Sequence, residues 1–347
     1  MIAATQATAN AAATAPPAVT VRDLTIVYRT PAGELPAVSN VDLDLPAGTI
    51  TGLVGESGSG KSTLALALLN AVQKPGRIAT GSIDVEGLGN LVELPAKRLQ
   101  EARGGEIGYV FQAAQNSLNP LKTVGKQLLD LGRSHGVKDR AGLVRSARQL
   151  LARMGMDAAR VLDSYQHELS GGMRQRVGIM FALVLNAHVL VLDEPTTALD
   201  MISQANVLAI VRAVHAERGL TTLVVTHDIG VVAEVAEHIA VMYGGVLVEQ
   251  GPTEDVLRAP KHPYTRALIN AIPRVSGDPS VARPLPGRPP TLGTIPKRGC
   301  VFRERCAVYA EQNLPECVTE QPPMLPFADG PGRLVACHAV GTKESVR

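Results

Sequence analysis

Gly55-Glu56-Ser57-Gly58-Ser59-Gly60-Lys61-Ser62 is the stretch that decides the fold, and it lies between an apolar run and a helix-forming run. Its glycines allow backbone N–H groups to curve around phosphate oxygens without Cβ clashes. In the pattern G-x-x-x-x-G-K-[ST], Lys61 can reach the β and γ phosphates and Ser62 can ligate Mg²⁺. The N-terminus of the following helix adds the positive end of its dipole. The order of strand, glycine loop and helix therefore predicts a phosphate-binding site in an α/β fold.

The apolar runs of the chain predict a doubly wound α/β core. β-Branched runs such as 189–192 and 221–225 are typical of parallel strands that are buried on both faces. The region from about 118 to 173 is more charged and has a helical pattern, which predicts an inserted helical subdomain. A helix is also predicted at 62–70, directly after the glycine loop. The predicted strands are 19–27, 41–45, 49–54, 82–86, 106–111, 189–192 and 221–225.

Length, charge and hydropathy limit the classes of protein to which this chain can belong. The 347 residues suffice for one large core with an appendage, and the net charge of +2 is too small to predict nucleic-acid binding. No apolar run reaches the roughly 20 residues that a membrane helix needs, so partners would have to supply any spanning helices. Residues 1–17 are mostly Ala and Thr without the pattern of a secretory signal, and we expect a disordered leader there.

Polar residues at the ends of predicted strands supply candidates for catalysis. Asp193 ends a buried strand and could hold Mg²⁺, and Glu194 after it suits a base that polarises water. Gln112 follows another strand, where an amide can ligate Mg²⁺ and orient water, although such a residue alone usually has no function. His227 could donate to a γ-phosphate, but a lone histidine is more often structural. Tyr28 could stack on adenine or belong to the core.

Ser170-Gly171-Gly172 forms a second glycine loop, and the run 173–185 after it has a helical pattern. A hydroxyl, a flexible backbone and a helix start are the ingredients of an anion site. The alternative is an ordinary capped helix, for which these three residues would suffice. One chain with two phosphate-binding elements suggests a nucleotide that is held between two subunits.

All four cysteines lie in the last part of the chain, at Cys300, Cys306, Cys317 and Cys337. A boundary is predicted near 260–275, and the proline-rich stretch beyond it predicts an extended linker into the cysteine cluster. Four thiolates suit a Cys₄ zinc site or an iron–sulfur cluster, and the lack of a C-x₂-C pair weakens the zinc-ribbon interpretation. Free or paired thiols are the remaining alternative, and a reducing cytosol disfavours stable disulfides.

Taken in order, these motifs resemble the ATP-binding-cassette (ABC) ATPases over roughly residues 18–260. They comprise the aromatic residue Tyr28, the Walker A loop 55–62, the Q-loop residue Gln112, the signature 169–175, Walker B at 189–193 with Glu194, the D-loop 198–200 and the switch residue His227. The resemblance implies a P-loop NTPase with a RecA-like core, an antiparallel β subdomain and a helical subdomain at about 113–178, all within 18–265. A small cysteine-containing C-terminal extension follows at 266–347.

The resemblance also implies a role for each matching residue. Catalysis is assigned to Glu194, His227, Gln112 and Lys61, and coordination of Mg²⁺ to Ser62, Gln112 and Asp193. Contacts to ATP are assigned to Tyr28, Gly55, Ser57, Gly58, Ser59, Gly60, Lys61, Ser62, Thr63, Gln112, Ser170, Gly171, Gly172, Asp193 and Asp200.

Four segments resemble the ATPases of oligopeptide and dipeptide importers, namely LSGGMRQRV (169–177), DEPTTALD (193–200), 231–235 and KHPYTRAL (261–268). Members of that group carry a C-terminal extension, and this resemblance implies a [4Fe–4S] cluster on Cys300, Cys306, Cys317 and Cys337, with Zn²⁺ as the alternative. It also implies a second ABC ATPase subunit, usually a different chain, and two membrane permease subunits. An extracytoplasmic substrate-binding protein and a peripheral location on the cytoplasmic face of the membrane complete the implied transporter.

The sequence motifs identify the ATPase more specifically than they identify the transported substrate. Ala113-Ala114-Gln115 stands where peptide importers more often have an acid and a proline, and similar ATPases serve the import of oligosaccharides, nickel or glutathione. A soluble ABC ATPase that acts on DNA or ribosomes is a further alternative. The single cassette, the lack of sustained heptads and the small net charge argue against it, so we expect no nucleic-acid partner.

Overall fold

The computed structural model describes residues 17–31, 33–112, 117–271, 285–327 and 332–341. The predicted leader lies outside these residues except for Pro17, and so does the segment Ala113-Ala114-Gln115. The mixed α/β architecture that the sequence predicts is confirmed, because the described residues form a small antiparallel sheet and a larger, mostly parallel sheet with helices around them.

The smaller sheet consists of β1 Pro17–Thr30, β2 Gly33–Pro46, β4 Gly76–Val85 and β5 Gly89–Asn90. Its strands are antiparallel, in the order β2-β1-β4-β5. Apolar and polar residues alternate along the strands, so one face of the sheet is buried. Leu24 and Ile26 from that face share a core cluster with Leu64 and Leu68, which follow the glycine loop. The small sheet is therefore packed against the segment that follows the glycine loop.

The larger sheet consists of β3 Ile50–Val54, β6 Ile107–Val110, β7 Val189–Asp193, β8 Thr221–Thr226, β9 His238–Tyr243, β10 Val246–Pro252, β11 Leu325–Pro326 and β12 Leu334–Val335. The strand order is β11-β12-β10-β9-β3-β8-β7-β6, and the five strands from β9 to β6 are parallel. Every residue of β3, β7 and β8 is buried, as the continuous apolar runs predict. The carboxyl ends of these strands meet at one edge of the sheet, where ligands bind in such folds.

The helices are α1 Lys61–Ala67, α2 Ala96–Gly105, α3 Val124–Ser134, α4 Arg140–Arg153, α5 Ala158–Asp163, α6 Gly171–Leu183, α7 Met201–Arg218, α8 Ile229–Val235, α9 Thr253–Arg258, α10 Pro263–Asn270, α11 Ala307–Gln312, α12 Glu316–Thr319 and α13 His338–Gly341. The side chains of Thr123, Asp139 and Asp157 cap the starts of α3, α4 and α5. These three helices form the helical insertion between β6 and α6, and their apolar faces join the core of the large sheet.

The C-terminal region is built onto the large sheet. β12 pairs with β10 through Glu249↔Val335, and β11 pairs with β12, so both strands extend the edge of the sheet. Arg333 precedes β12 and forms a buried ion pair with Glu249. Strands of two residues have no readable period, and sequence reasoning therefore missed this pairing.

Candidate nucleotide site

The glycine loop 55–62 connects β3 to α1 and holds its own lysine. Lys61 is 5% exposed, and its Nζ donates to the carbonyl oxygens of Gly55 and Glu56, both at 2.8 Å. Burial lowers the pKa of Lys61, while the charges of Glu194 and Asp193 act in the opposite direction. The ammonium group is therefore anchored on the backbone of the loop.

The conformation of this loop requires glycine. Gly60 has φ +103°, and a Cβ at this position would lie 2.5 Å from the carbonyl oxygen of Ala37 on β2. Gly58 has φ +80° but faces open space. Both backbone conformations are costly for residues with a side chain, and the contact at Gly60 adds a steric barrier. Of the remaining predicted contacts, Ser57 is exposed, Ser59 is buried and Thr63 is half-buried.

Asp193 at the end of β7 faces the serine of the glycine loop. Its Oδ1 accepts from Ser62 Oγ at 3.0 Å, and its Oδ2 accepts from Tyr109 Oη at 3.0 Å. Burial raises the pKa of Asp193, while these two hydrogen bonds oppose that shift. A hydroxyl and a carboxylate in contact are oxygen ligands of the kind that Mg²⁺ prefers. Sequence reasoning missed Tyr109, whose spacing on β6 carries no signal of this contact.

The carboxylate of Glu194 contacts two of the other predicted catalytic groups, Gln112 and His227. Its carboxylate accepts from Gln112 Nε2 at 2.9 Å and from Thr197 Oγ1 at 2.9 Å, and it contacts His227 Nδ1 at 3.2 Å. Burial alone would raise the pKa of Glu194, but the Thr197 and His227 contacts outweigh it and lower the pKa. The backbone of Glu194 has φ +50°, a left-handed conformation that is uncommon for a residue with a side chain. The structure thus joins Gln112, Glu194 and His227, and it adds Thr197 from the quoted DEPTTALD segment.

The second glycine loop begins α6. Ser170 Oγ accepts from the backbone N–H of Met173 at 3.3 Å, so the serine is the N-cap that the sequence allows. Within the described residues, no hydrogen bond joins this loop to the loop 55–62. Asp200 caps α7 in the same way through Ser203 N, and these backbone and side-chain bonds with Ser203 lower the pKa of Asp200. A Cβ at Gly172 would lie 3.3 Å from Ser203 Oγ, so the two capped helix starts are neighbours.

Tyr28 lies apart from these groups. It is half-buried in β1 of the small sheet, opposite Leu35 on β2 and Gly76 on β4. Its ring is packed beside Gly76, where an added Cβ would lie 2.8 Å from Cε1. The contact to adenine stays a prediction.

The four cysteines come together from separate segments of the C-terminal region. Cys300, Cys306, Cys317 and Cys337 line one small cavity with His262 and His338. Burial raises the pKa of all four thiols, to about 12 at Cys300. In the part of the chain that the structure describes, no group of three or more His, Cys, Asp or Glu side chains is arranged as metal ligands. The four thiols thus converge on one cavity, but the placement of the side chains is not that of a formed metal site.

Comparisons with known families agree with this geometry. The family described as ABC transporter matches residues 38–197, and the one described as oligopeptide/dipeptide transporter, C-terminal region, matches 248–312. No helix in the described ranges is long and apolar enough to cross a membrane.

Relatives are similar over nearly the whole chain. A putative peptide import ATP-binding protein of Brucella melitensis is 41% identical, covering 89% of this chain and 93% of its own. The dipeptide transport ATP-binding protein DppD of Caldanaerobacter subterraneus is 40% identical, covering 92% and 95%. Among solved structures, a dimeric post-hydrolysis state of the ATP-binding cassette MJ0796 with ADP and Pi has a TM-score of 0.58 and 28% identity, covering 68% of this chain and 98% of that one. The chain belongs to the ABC transporter family, as one of its ATP-hydrolysing cassettes.

Proposed function

We propose that this chain is the ATP-hydrolysing subunit of a bacterial ABC importer for di- and oligopeptides. The proposal rests on the presence of two features in one chain, namely the Glu194 site and a C-terminal region that matches the oligopeptide/dipeptide transporter family. The relatives from Brucella and Caldanaerobacter are named for peptide and dipeptide transport, which supports the same substrate class.

Glu194 polarises the attacking water in this proposal. The contacts with Thr197 and His227 lower the pKa of Glu194, so these neighbours favour the ionised carboxylate, which is the form that can accept a proton. Gln112 and His227 both contact Glu194 and can turn to the water and the γ-phosphate when ATP is present. Ser62 and Asp193 would hold Mg²⁺, which supplies charge neutralisation for the phosphates.

Two cassettes close head-to-tail, so that Ser170 and Gly172 of this chain cap the ATP on the partner cassette, and the glycine loop of the partner that matches theirs caps the ATP on Lys61 and Ser62 of this chain. Two features support this arrangement. Ser170, which caps the start of α6, is exposed to solvent. The similar cassette MJ0796 was solved as a dimer. The second cassette is a different chain, which makes the pair a heterodimer.

The capping role is tested with Ser170→Asp and Ser170→Asn in the assembled transporter. Both residues are good N-caps, so α6 is preserved in each variant. We expect the aspartate variant to lose hydrolysis because its charge repels the γ-phosphate, and the asparagine variant to retain far more. ATP binding by the isolated chain should be equal in both. Equal hydrolysis by the two assembled variants would contradict the sandwich.

A groove beside Gln112 is proposed as the docking site of a membrane permease, of which the transporter would contain two subunits. Tyr109, Phe111, Leu118 and Phe181 line it, and Phe111 is 48% exposed. Because the permease would supply the membrane helices, the chain would be peripheral, on the cytoplasmic face. An extracytoplasmic substrate-binding protein would deliver the cargo.

The substrate class is tested by uptake in cells that lack the chain. Accumulation of a labelled dipeptide and tripeptide should fall to background and return with the wild-type chain but not with Glu194→Gln. Normal peptide uptake together with lost uptake of nickel, glutathione or an oligosaccharide would replace the proposed substrate with that one.

The cysteine cavity is proposed to hold a [4Fe–4S] cluster through Cys300, Cys306, Cys317 and Cys337, with Zn²⁺ as the alternative. The support is the convergence of four thiols from separate segments on one cavity. Binding of such a group would release the protons of the four thiols. It would also stabilise a region that has little core of its own. Protein purified without oxygen should be brown and contain iron and acid-labile sulfide, and Cys300→Ser should lose both. Colourless protein with stoichiometric zinc would support the alternative.

A further inference from the structure

An arginine of the C-terminal region reaches the nucleotide loop. Arg305 lies in a 3-10 turn, Arg303–Arg305, and its guanidinium contacts the carboxylate of Glu56 in the glycine loop. Nη1 donates to Glu56 Oε2 at 2.6 Å, and Nη2 donates to Oε1 at 3.0 Å. The pair is bidentate, and the side chains are only 6% and 20% exposed. Paired, poorly hydrated charges of this geometry are among the stronger ionic contacts in proteins.

The arginine is itself held in place. Its Nε donates to the carbonyl oxygen of Pro286 at 2.7 Å, and Nη1 also donates to Tyr243 Oη at 3.2 Å. The backbone N–H of Glu56 donates to Tyr264 Oη at 2.9 Å, and Tyr264 is fully buried. Both the side chain and the backbone of Glu56 are therefore fixed by residues that lie outside the loop.

Glu56 is electrostatically coupled to the phosphate-binding lysine. Its carbonyl oxygen accepts from Lys61 Nζ at 2.8 Å, and the charge of its carboxylate acts on Lys61. A carboxylate released from Arg305 would be an anion of this protein close to that ammonium. It would compete with ATP for Lys61 and would repel the phosphates.

We infer that Arg305 is a positioning residue for ATP binding, which neutralises Glu56 and holds it away from Lys61. Tyr264 supports the same function by fixing the backbone of Glu56. The C-terminal region thus completes the phosphate-binding loop, and its contribution is to nucleotide affinity rather than to the chemical step.

The test measures ATP binding by the full chain with calorimetry. Arg305→Met should weaken ATP binding, which means that the dissociation constant for ATP rises by roughly tenfold or more. In the assembled transporter it should raise KM for ATP by a similar factor and change kcat by less than about threefold. Adding Glu56→Gln to Arg305→Met should restore most of the lost affinity, because the competing charge is removed. A merely structural arginine would show no such restoration.

Arg303→Met is the matched control from the same turn. Arg303 is half-buried and donates to the carbonyl oxygens of Arg298 and Val318, without contact to the loop. Its substitution should leave ATP affinity unchanged. An affinity of Arg305→Met within twofold of wild type, equal losses in the two arginine variants, or a double variant as weak as Arg305→Met would each overturn the inference.

Discussion

Arg333→Met should cost the protein a large part of its stability, because it strands a buried carboxylate. Glu249 on β10 is fully buried, and Arg333 is 4% exposed in the pair. Arg333 also donates to the carbonyl oxygens of Ala259 at 2.6 Å and Asp255 at 3.3 Å. Methionine fills much of the volume but satisfies none of these three acceptors. Removing one partner of a buried ion pair costs about 3–5 kcal/mol.

The lower part of that range applies here. The Glu249 carboxylate keeps two other donors after the substitution, namely the backbone N–H groups of Lys261 at 2.9 Å and His262 at 3.0 Å. We therefore expect a loss of about 3 kcal/mol, against a total stability of roughly 5–15 kcal/mol. The loss should appear as a lower midpoint of urea unfolding, followed by circular dichroism.

Arg258→Met is the control for this measurement. Arg258 pairs with Glu254 on the surface of α9, where the side chains are 79% and 74% exposed. Such a pair contributes at most about 0.5 kcal/mol. Combining Arg333→Met with Glu249→Gln should recover about 1 kcal/mol or more, because the stranded charge is gone. A loss below about 1 kcal/mol for Arg333→Met, or strict additivity in the double variant, would refute the reasoning.

Three further predictions concern the nucleotide site. Glu194→Gln keeps the side-chain volume and removes the base, so kcat for ATP should fall by about 10²–10⁴-fold with ATP binding retained, and a loss below tenfold would contradict the role of Glu194. Gly60→Ala should abolish ATP binding in a fluorescent-nucleotide titration, because its Cβ would lie 2.5 Å from the carbonyl oxygen of Ala37. Gly58→Ala, which meets no atom within 4 Å, should lose less, and equal losses would count against the steric cause. The raised pKa of Asp193 means that its carboxylate takes up a proton at a higher pH than an ordinary aspartate. Affinity for Mg²⁺ in the presence of ATP should therefore decline as the pH is lowered toward that pKa, and an affinity independent of pH would contradict the metal-ligand assignment.

Much of the nucleotide site could be predicted because its groups follow local rules. Lys61 lies in the loop after the buried strand β3, Asp193 ends the buried strand β7, and the carboxyl ends of parallel strands meet at one edge of the sheet. Thr197 stood inside a quoted motif, yet its hydrogen bond to Glu194 depends on the turn after β7. Tyr109 could not be found in this way, since its contact with Asp193 depends on how β6 and β7 are paired.

The C-terminal region shows the limit of sequence reasoning most clearly. Its cysteines indicated a cluster by their number and confinement, but their long spacings did not show that they line one cavity. The strand β12 has two residues and is recognisable only because β10 offers it an edge. Short elements of this kind acquire their structure from the partner and not from their own residues.

By itself, the sequence determined that the chain binds a nucleotide phosphate on an α/β sheet. Its glycine loop and buried strands carry that information in consecutive residues, where backbone conformation and apolar period decide the outcome. Only the tertiary structure decided that the same loop contacts the distant C-terminal region. Arg305 and Glu56 are 249 residues apart, and neither residue type predicts the other. Their contact arises because the C-terminal region packs beside the glycine loop, where the partly buried carboxylate of Glu56 is paired with the guanidinium of Arg305.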